Sequence, residues 1–175
     1  MDRFERLASA LRRIPGLEVR ENEPMKRHTT FRIGGPARLM ALPRSRKEAA
    51  AAVRAATEAG IAPFFLGNGS NLLVADHGYE GFVLKACGLD QVREVNRRLR
   101  AESGITLARL ANAALGRGLT GLEFAHGIPG TLGGAVVMNA GAYGGEMVQV
   151  LTAVTYLDGA GEEHTLPAAA CALTY

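Results

Sequence analysis

At 175 residues, with 47% hydrophobic and 21% charged side chains, the chain is long enough to bury a sizeable core and too apolar for a disordered segment. Twenty Lys and Arg against 17 Asp and Glu leave a net charge of only +3, weak ground for a nucleic-acid partner, and the interleaved arginines of "EVNRRLR" read as a solvated face. There is no run of about 18 apolar residues, and Cys87 and Cys171 form no CxxC pair, so neither a membrane span nor a metal centre is expected and the chain reads as soluble and cytoplasmic.

Phe4, Leu7, Ala8, Leu11 and Ile14 recur at helical spacing until Pro15-Gly16, which predicts an opening amphipathic helix. "ARLMALP" reads as a strand. Ser45 then caps a predicted helix through "RKEAAAAVRAATEAG", with Glu48 as capping-box partner and Gly60 as the stop. "IAPFFLG" is the next strand. Strand, helix, strand implies parallel pairing, and it places the turn 67–71 at a strand's carboxyl end, where α/β folds bind ligands. "LLVAD", "GFVLKA" and "RRLRAESG" are predicted as further short strands, and Thr106 as the cap of a helix through "LARLANAALGRG". "VQVLTAVTYLDGAGEEHTLP" predicts a hairpin that turns at or beside Asp158-Gly159, and "PAAACALTY" begins a helix-like turn.

Three stretches are rich in small residues: "TTFRIGGPAR" at 29–38, "GNGSN" at 67–71 and "GIPGTLGGAVVMNAGAYGG" at 127–145. Backbone so bare of side chains can turn consecutive N–H groups toward an anion, and a pyrophosphate is the usual biological one. Tight bends around a core explain the third stretch equally well. "GNGSNL" lacks the third glycine of G-x-G-x-x-G and has no acid about 20 residues on, which argues against a dinucleotide fingerprint, and the absence of G-x-x-x-x-G-K-[ST] excludes a P-loop.

In this order and spacing, "TTFRIGGPA", "FFLGNGSNLLV" and "GLEFAHGIPGTLGGAVVMNAGAYG" resemble the UDP-N-acetylenolpyruvoylglucosamine reductases, flavoenzymes of peptidoglycan precursor synthesis, over essentially the chain from Asn22 to Tyr175. The resemblance implies an α+β FAD-binding fold of the vanillyl-alcohol oxidase (PCMH) type, in which two α/β subdomains, 1–86 and 87–175, clamp the cofactor. It implies that Gly67, Asn68, Gly69, Ser70, Asn71 and Leu72 receive the FAD pyrophosphate. Gly127, Ile128, Pro129, Gly130, Thr131, Gly133, Gly134, Ala135, Asn139, Ala140 and Gly141 then line the flavin and its phosphates. Ser70, Asn71, Thr131 and Asn139 are the expected side-chain donors, and Arg32, beside Gly34-Gly35, a charge partner for the cofactor. FAD is expected to be noncovalent, NADPH the reductant and UDP-N-acetylglucosamine enolpyruvate the small-molecule substrate of a monomeric parent enzyme.

Tyr143 either packs near the flavin or substrate or plugs a glycine-rich corner, and Tyr175 is a candidate for the substrate side. His126 is set aside as a covalent flavin attachment point. His28, His77 and His164 read as surface or capping residues, and Glu123 as a loop brace that accepts backbone N–H groups. The family's chemistry also asks for an arginine, a serine and a glutamate. By resemblance the arginine would follow Tyr175, and the serine and glutamate would lie in a later substrate domain. The chain is therefore expected to bind FAD without turnover and to associate through apolar surface. Its alternatives are a noncatalytic FAD-binding fragment or an FAD-dependent sugar or alcohol oxidase of the same fold.

Overall fold

In the computed structural model, which describes residues 2–174, helix α1 (Arg3–Arg12) starts where the Asp2 carboxylate accepts the Glu5 N–H at 2.8 Å and Glu5 returns the bond to the Asp2 N–H. Such a capping box satisfies two backbone N–H groups at the helix start reciprocally. The stripe Phe4, Leu7, Ala8 and Leu11 is buried, as its spacing predicts. Helix α2 (Arg46–Glu58) begins at Ser45, whose hydroxyl accepts the Glu48 N–H at 3.2 Å. The reciprocal arm differs from the predicted box: the Glu48 carboxylate accepts from the Ser45 hydroxyl and from the Arg44 N–H, one residue earlier.

Strands β1 (Glu18–Pro24), β2 (Pro36–Leu42), β3 (Pro63–Leu66) and β4 (Tyr79–Lys85) form one sheet in the order β1-β2-β4-β3. β1 runs antiparallel to β2, while β2 and β3 each run parallel to β4. The strand-helix-strand unit is thus parallel, with β4 inserted between its two strands. Phe82, Val83 and Leu84 are all buried, and such a continuous apolar run belongs at the centre of a sheet covered on both faces.

Period-two alternation assigns the faces. Leu39, Ala41, Phe82 and Leu84 meet α1 and α2 through Leu7, Leu11, Ala52, Val53 and Ala56. Met40, Val83 and Leu66 join Met25 on the opposite face. Ala37 belongs to that second cluster despite its parity with Leu39, because the β2–β4 register shifts between Ala37 and Leu39. "LLVAD" forms no strand: Leu72 and Val74 pack over the second face, and the Ala75 carbonyl accepts from Gly35 and Gly78 instead of entering a ladder. β1, absent from the sequence reading, carries Glu18, Arg20, Glu21 and Glu23, and so many charges suit an edge strand.

The remaining elements are β5 (Val92–Val95) and β6 (Arg98–Ala101), helix α3 (Leu107–Leu115), short helix α4 (Leu132–Val137), the two-residue strands β7 (Gly141–Ala142) and β8 (Gly145–Glu146), and the paired strands β9 (Ala153–Leu157) and β10 (Glu163–Pro167). The strand expected over 97–104 is shorter and has a partner: Asn96 and Arg97, at φ 51° and 57°, make the two-residue turn between β5 and β6. Thr106 caps α3 by accepting the Arg109 N–H at 3.4 Å. Asp158 closes the β9–β10 turn, its carboxylate accepting the N–H groups of Ala160 and Glu162 at 2.9 Å each. The chain divides into two units, Met1–Gly88 with Leu157–Glu163, and Leu89–Tyr156 with His164–Tyr175. Among the described residues no helix is long and apolar enough to cross a membrane.

Candidate functional site

β3 ends at Leu66 and runs directly into Gly67-Asn68-Gly69-Ser70-Asn71. Gly69 has φ +67°, and a Cβ built on it would stand 2.0 Å from the His28 carbonyl oxygen and 2.9 Å from Thr29 Cα. Only glycine combines that backbone with that approach. The Gly69 carbonyl accepts the Thr30 N–H at 3.1 Å and the Thr30 hydroxyl at 3.5 Å, so segment 28–30 holds the turn from below. The N–H groups of Asn68, Gly69, Ser70 and Asn71 have no acceptor among the described residues, although Gly69 is buried. A buried N–H without a partner is rare, and consecutive ones make a concavity suited to an anion. Leu72 packs on the core beneath.

Segment 25–35 is tied down by its own backbone. Met25 donates to Gly35 at 3.0 Å, Lys26 to Gly34 at 3.2 Å, and Gly35 to Ala75 at 2.9 Å. Arg32 is exposed at φ +57° and meets no carboxylate among the described residues.

His28 is no surface residue. It is buried together with Glu23; its Nε2 lies 2.8 Å from Glu23 Oε1, to which Arg20 also donates at 2.9 Å, and its Nδ1 lies 2.9 Å from Lys85 Nζ. Burial pushes the imidazole pKa below its ordinary value, opposed by the bond to Glu23 and aided by the Lys85 charge. Burial raises the Glu23 carboxyl, but the bonds from His28 and Arg20 outweigh it and hold the group below the usual carboxylate value. The missing sequence signal was β1, since without that strand Glu23 and His28 are merely five residues apart.

In the second unit, Glu123 accepts the Gly121 N–H at 2.8 Å, the brace expected of it. The stretch after His126 holds fewer free donors than its composition suggests: Leu132 donates to the Ile105 carbonyl at 2.8 Å and Gly133 to the Ser103 carbonyl at 2.7 Å. The N–H groups of Gly127, Gly130 and Thr131 have no acceptor among the described residues. Gly127 and Pro129 are exposed; Ile128 and Ala140 pack against the cluster of Leu107, Phe124, Ala125, Ala135 and Met147. Gly134 lies within α4 and Gly141 in β7.

Two further side chains are placed by the fold. Asn139 is buried, donates from Nδ2 to Glu146 at 2.9 Å and accepts the Val148 N–H on Oδ1 at 2.9 Å, so its amide braces the 139–148 loop. Tyr143 plugs no glycine corner: at φ +52° it is 97% exposed, beside an open recess lined by Gly121, Glu123, Phe124 and Gln149. His126 and His77 are exposed, and the His164 ring lies 5.5 Å from that of Tyr156. Tyr175 lies outside the described residues. Among those residues no group of His, Cys, Asp and Glu could hold a metal ion.

The family model described as FAD binding domain matches residues 37–167, a range that contains both loops. The chain belongs to the FAD binding domain family. It is 53% identical over 137 residues, 78% of its own length and 45% of the relative's, to the UDP-N-acetylenolpyruvoylglucosamine reductase of Caldanaerobacter subterraneus. The crystal structure of UDP-N-acetylenolpyruvylglucosamine reductase from Thermus caldophilus superposes with TM-score 0.73 at 35% identity, covering 91% of this chain and 55% of that one. The glucooligosaccharide oxidase of Acremonium strictum, whose FAD is 6-S-cysteinyl and 8α-N1-histidyl, gives TM-score 0.69 at 18% identity over 93% of this chain and 36% of that one, a likeness of fold alone. The fold is the FAD-binding type shared with vanillyl-alcohol oxidase, and the resemblance to the reductases holds over most of the chain. The chain spans about half the length of the curated relatives it matches.

Proposed function

We propose that the chain is the FAD-holding portion of a cytoplasmic UDP-N-acetylenolpyruvoylglucosamine reductase, which uses NADPH to reduce UDP-N-acetylglucosamine enolpyruvate to UDP-N-acetylmuramate. The observation that carries the reading is the Gly67–Asn71 turn: a bare backbone at the carboxyl end of a parallel strand, with four successive N–H groups left without acceptors among the described residues. A diphosphate fits this nest by charge and by donor count. Ser70 and Asn71 supply side-chain donors beside it, and Arg32 a guanidinium free to meet a phosphate. Taken by itself, the second unit also offers backbone donors at Gly127, Gly130 and Thr131.

When bound, FAD supplies the two-electron chemistry that links a nicotinamide donor to an enolpyruvyl acceptor. The residues of this chain bind and orient it, and none of them is assigned a proton transfer. The cofactor is read as noncovalent from the resemblance to the reductases.

The test is anaerobic titration of the FAD-loaded chain with NADPH, followed by steady-state NADPH oxidation with and without the enolpyruvyl sugar nucleotide. Bound flavin that trichloroacetic acid releases into the supernatant, with no substrate-stimulated turnover by the chain alone, is the expected result. Flavin that stays with the acid precipitate, or turnover of a free sugar with oxygen, would contradict it in favour of an oxidase.

A further inference from the structure

We propose that His28, held between Glu23 and Lys85, is a positioning residue for the Gly67–Asn71 turn, and that the chain holds FAD tightly only while this imidazole is neutral. The inference rests on the cofactor reading above. It starts from donor arithmetic: a lysine ammonium can only donate and a carboxylate can only accept. With Lys85 Nζ at 2.9 Å from Nδ1 and Glu23 Oε1 at 2.8 Å from Nε2, the ring must accept at Nδ1 and donate at Nε2. That is the neutral tautomer with its proton on Nε2.

The charged and titratable groups around the ring come from two strands. β1 supplies Glu23 and Arg20 and β4 supplies Lys85; in the turn Ala86–Gly88, the Cys87 thiol, whose own pKa burial raises, feels the Lys85 charge in turn. Adding a proton at Nδ1 sets an N–H against the Lys85 ammonium, donor against donor and charge against charge. One of the two contacts must open.

That opening reaches the turn by two short routes. The His28 carbonyl is the atom against which Gly69 packs, and Thr30, two residues on, donates to the Gly69 carbonyl. Lys85 is paired in register with Leu66, the residue immediately before the turn. The network therefore grips the turn at both of its supports, and protonation loosens both.

The sign of the effect separates positioning from simple attraction. An extra positive charge near a diphosphate would tighten binding in acid, whereas a disrupted support weakens it. By linkage, FAD must then lower the His28 pKa further, while simple attraction would raise it.

The experiment measures FAD affinity of the 175-residue chain by flavin fluorescence at pH 8 and pH 5, for the wild type, His28→Gln and Lys85→Gln, with circular dichroism to verify folding at each pH. The wild type is expected to lose more than about threefold in affinity on acidification, the loss following the folded-state pKa of His28, which lies below the ordinary histidine value. His28→Gln offers a non-titrating amide to Glu23, and Lys85→Gln offers a carbonyl that can accept a proton-bearing Nδ1. Each is expected to keep affinity at pH 8 within about threefold of wild type and to lose less than about threefold in acid. Histidine NMR titrations with and without FAD give the second readout, with the His28 pKa lower when FAD is bound. Wild-type affinity that is unchanged or tighter at pH 5, or variants that retain the full acid loss, would overturn the inference. A folded wild type that binds no FAD at pH 8 overturns the cofactor reading itself, and this inference with it.

Discussion

The carbonyl oxygen of His28 occupies the place where a side chain on Gly69 would begin, 2.0 Å from a Cβ built there. Gly60 has the same φ of +67° but nothing within 4 Å of its virtual Cβ. The pair separates backbone strain from steric exclusion. Gly60→Ala is expected to cost about 1 kcal/mol, the penalty of the left-handed conformation alone, and Gly69→Ala about 2–4 kcal/mol with loss of FAD binding. Urea unfolding of both variants checks this. Equal destabilisation would mean that the close approach at residue 69 carries no energy.

Asn139 uses both ends of its amide inside the fold, toward Glu146 and Val148. Asn139→Ala leaves the half-buried Val148 N–H and one Glu146 oxygen without that partner, at about 1–3 kcal/mol in all. Asn139→Asp keeps the acceptor for Val148 but sets a carboxylate against Glu146, so it is expected to lose stability mainly above the carboxylate pKa range. Thermal melts across pH test the distinction.

The stability of the unliganded chain is expected to fall on mild acidification, and the sign follows from His28. Its folded pKa is depressed from the ordinary value near 6.5. Above that value the ring is neutral in both states; below it the unfolded chain binds a proton that the folded chain refuses, so stability drops as pH falls from about 6.5 toward the lowered folded value. Glu23, depressed from 4.5, adds a second loss below that pH. His28→Gln should remove the first loss and leave the second. Urea midpoints measured between pH 8 and pH 4 distinguish the two windows.

Arg32 combines an exposed guanidinium with a φ of +57°, a conformation that costs a non-glycine residue about 1 kcal/mol. Arg32→Gly removes the charge and relieves the strain. It is expected to be as stable as wild type or slightly more so, yet to bind FAD about five- to tenfold more weakly if the guanidinium meets a phosphate, a charge-assisted bond worth about 1–1.5 kcal/mol net. Unchanged FAD affinity in this variant would remove Arg32 from the site.

Local signals were legible where they are periodic or capped. The stripe Phe4-Leu7-Ala8-Leu11, the Ser45 and Thr106 caps and the β9–β10 turn at Asp158 could all be read from neighbours in sequence. β1 was missed because "EVRENEP" is charged on an edge strand and shows no alternation. "LLVAD" was mistaken for a strand because an apolar segment that covers a sheet face has the same composition as one that pairs within it. Long-range pairing hid the rest: nothing near His28 in sequence announces Lys85, 57 positions away, and nothing in "NAGAYGG" shows that Asn139 turns inward while Tyr143 turns out. The glycine stretches were visible as bare backbone, but which of their N–H groups are already spent, as at Leu132 and Gly133, depends on the distant carbonyls of Ile105 and Ser103.

The most direct test of the cofactor reading is the visible absorption spectrum of the purified chain after incubation with FAD and removal of free flavin by gel filtration. Co-eluting flavin with a spectrum perturbed from that of free FAD, and release of that flavin on Gly69→Ala substitution, is the expected result. A chain folded by circular dichroism that emerges colourless would contradict the assignment of the Gly67–Asn71 turn as the diphosphate site.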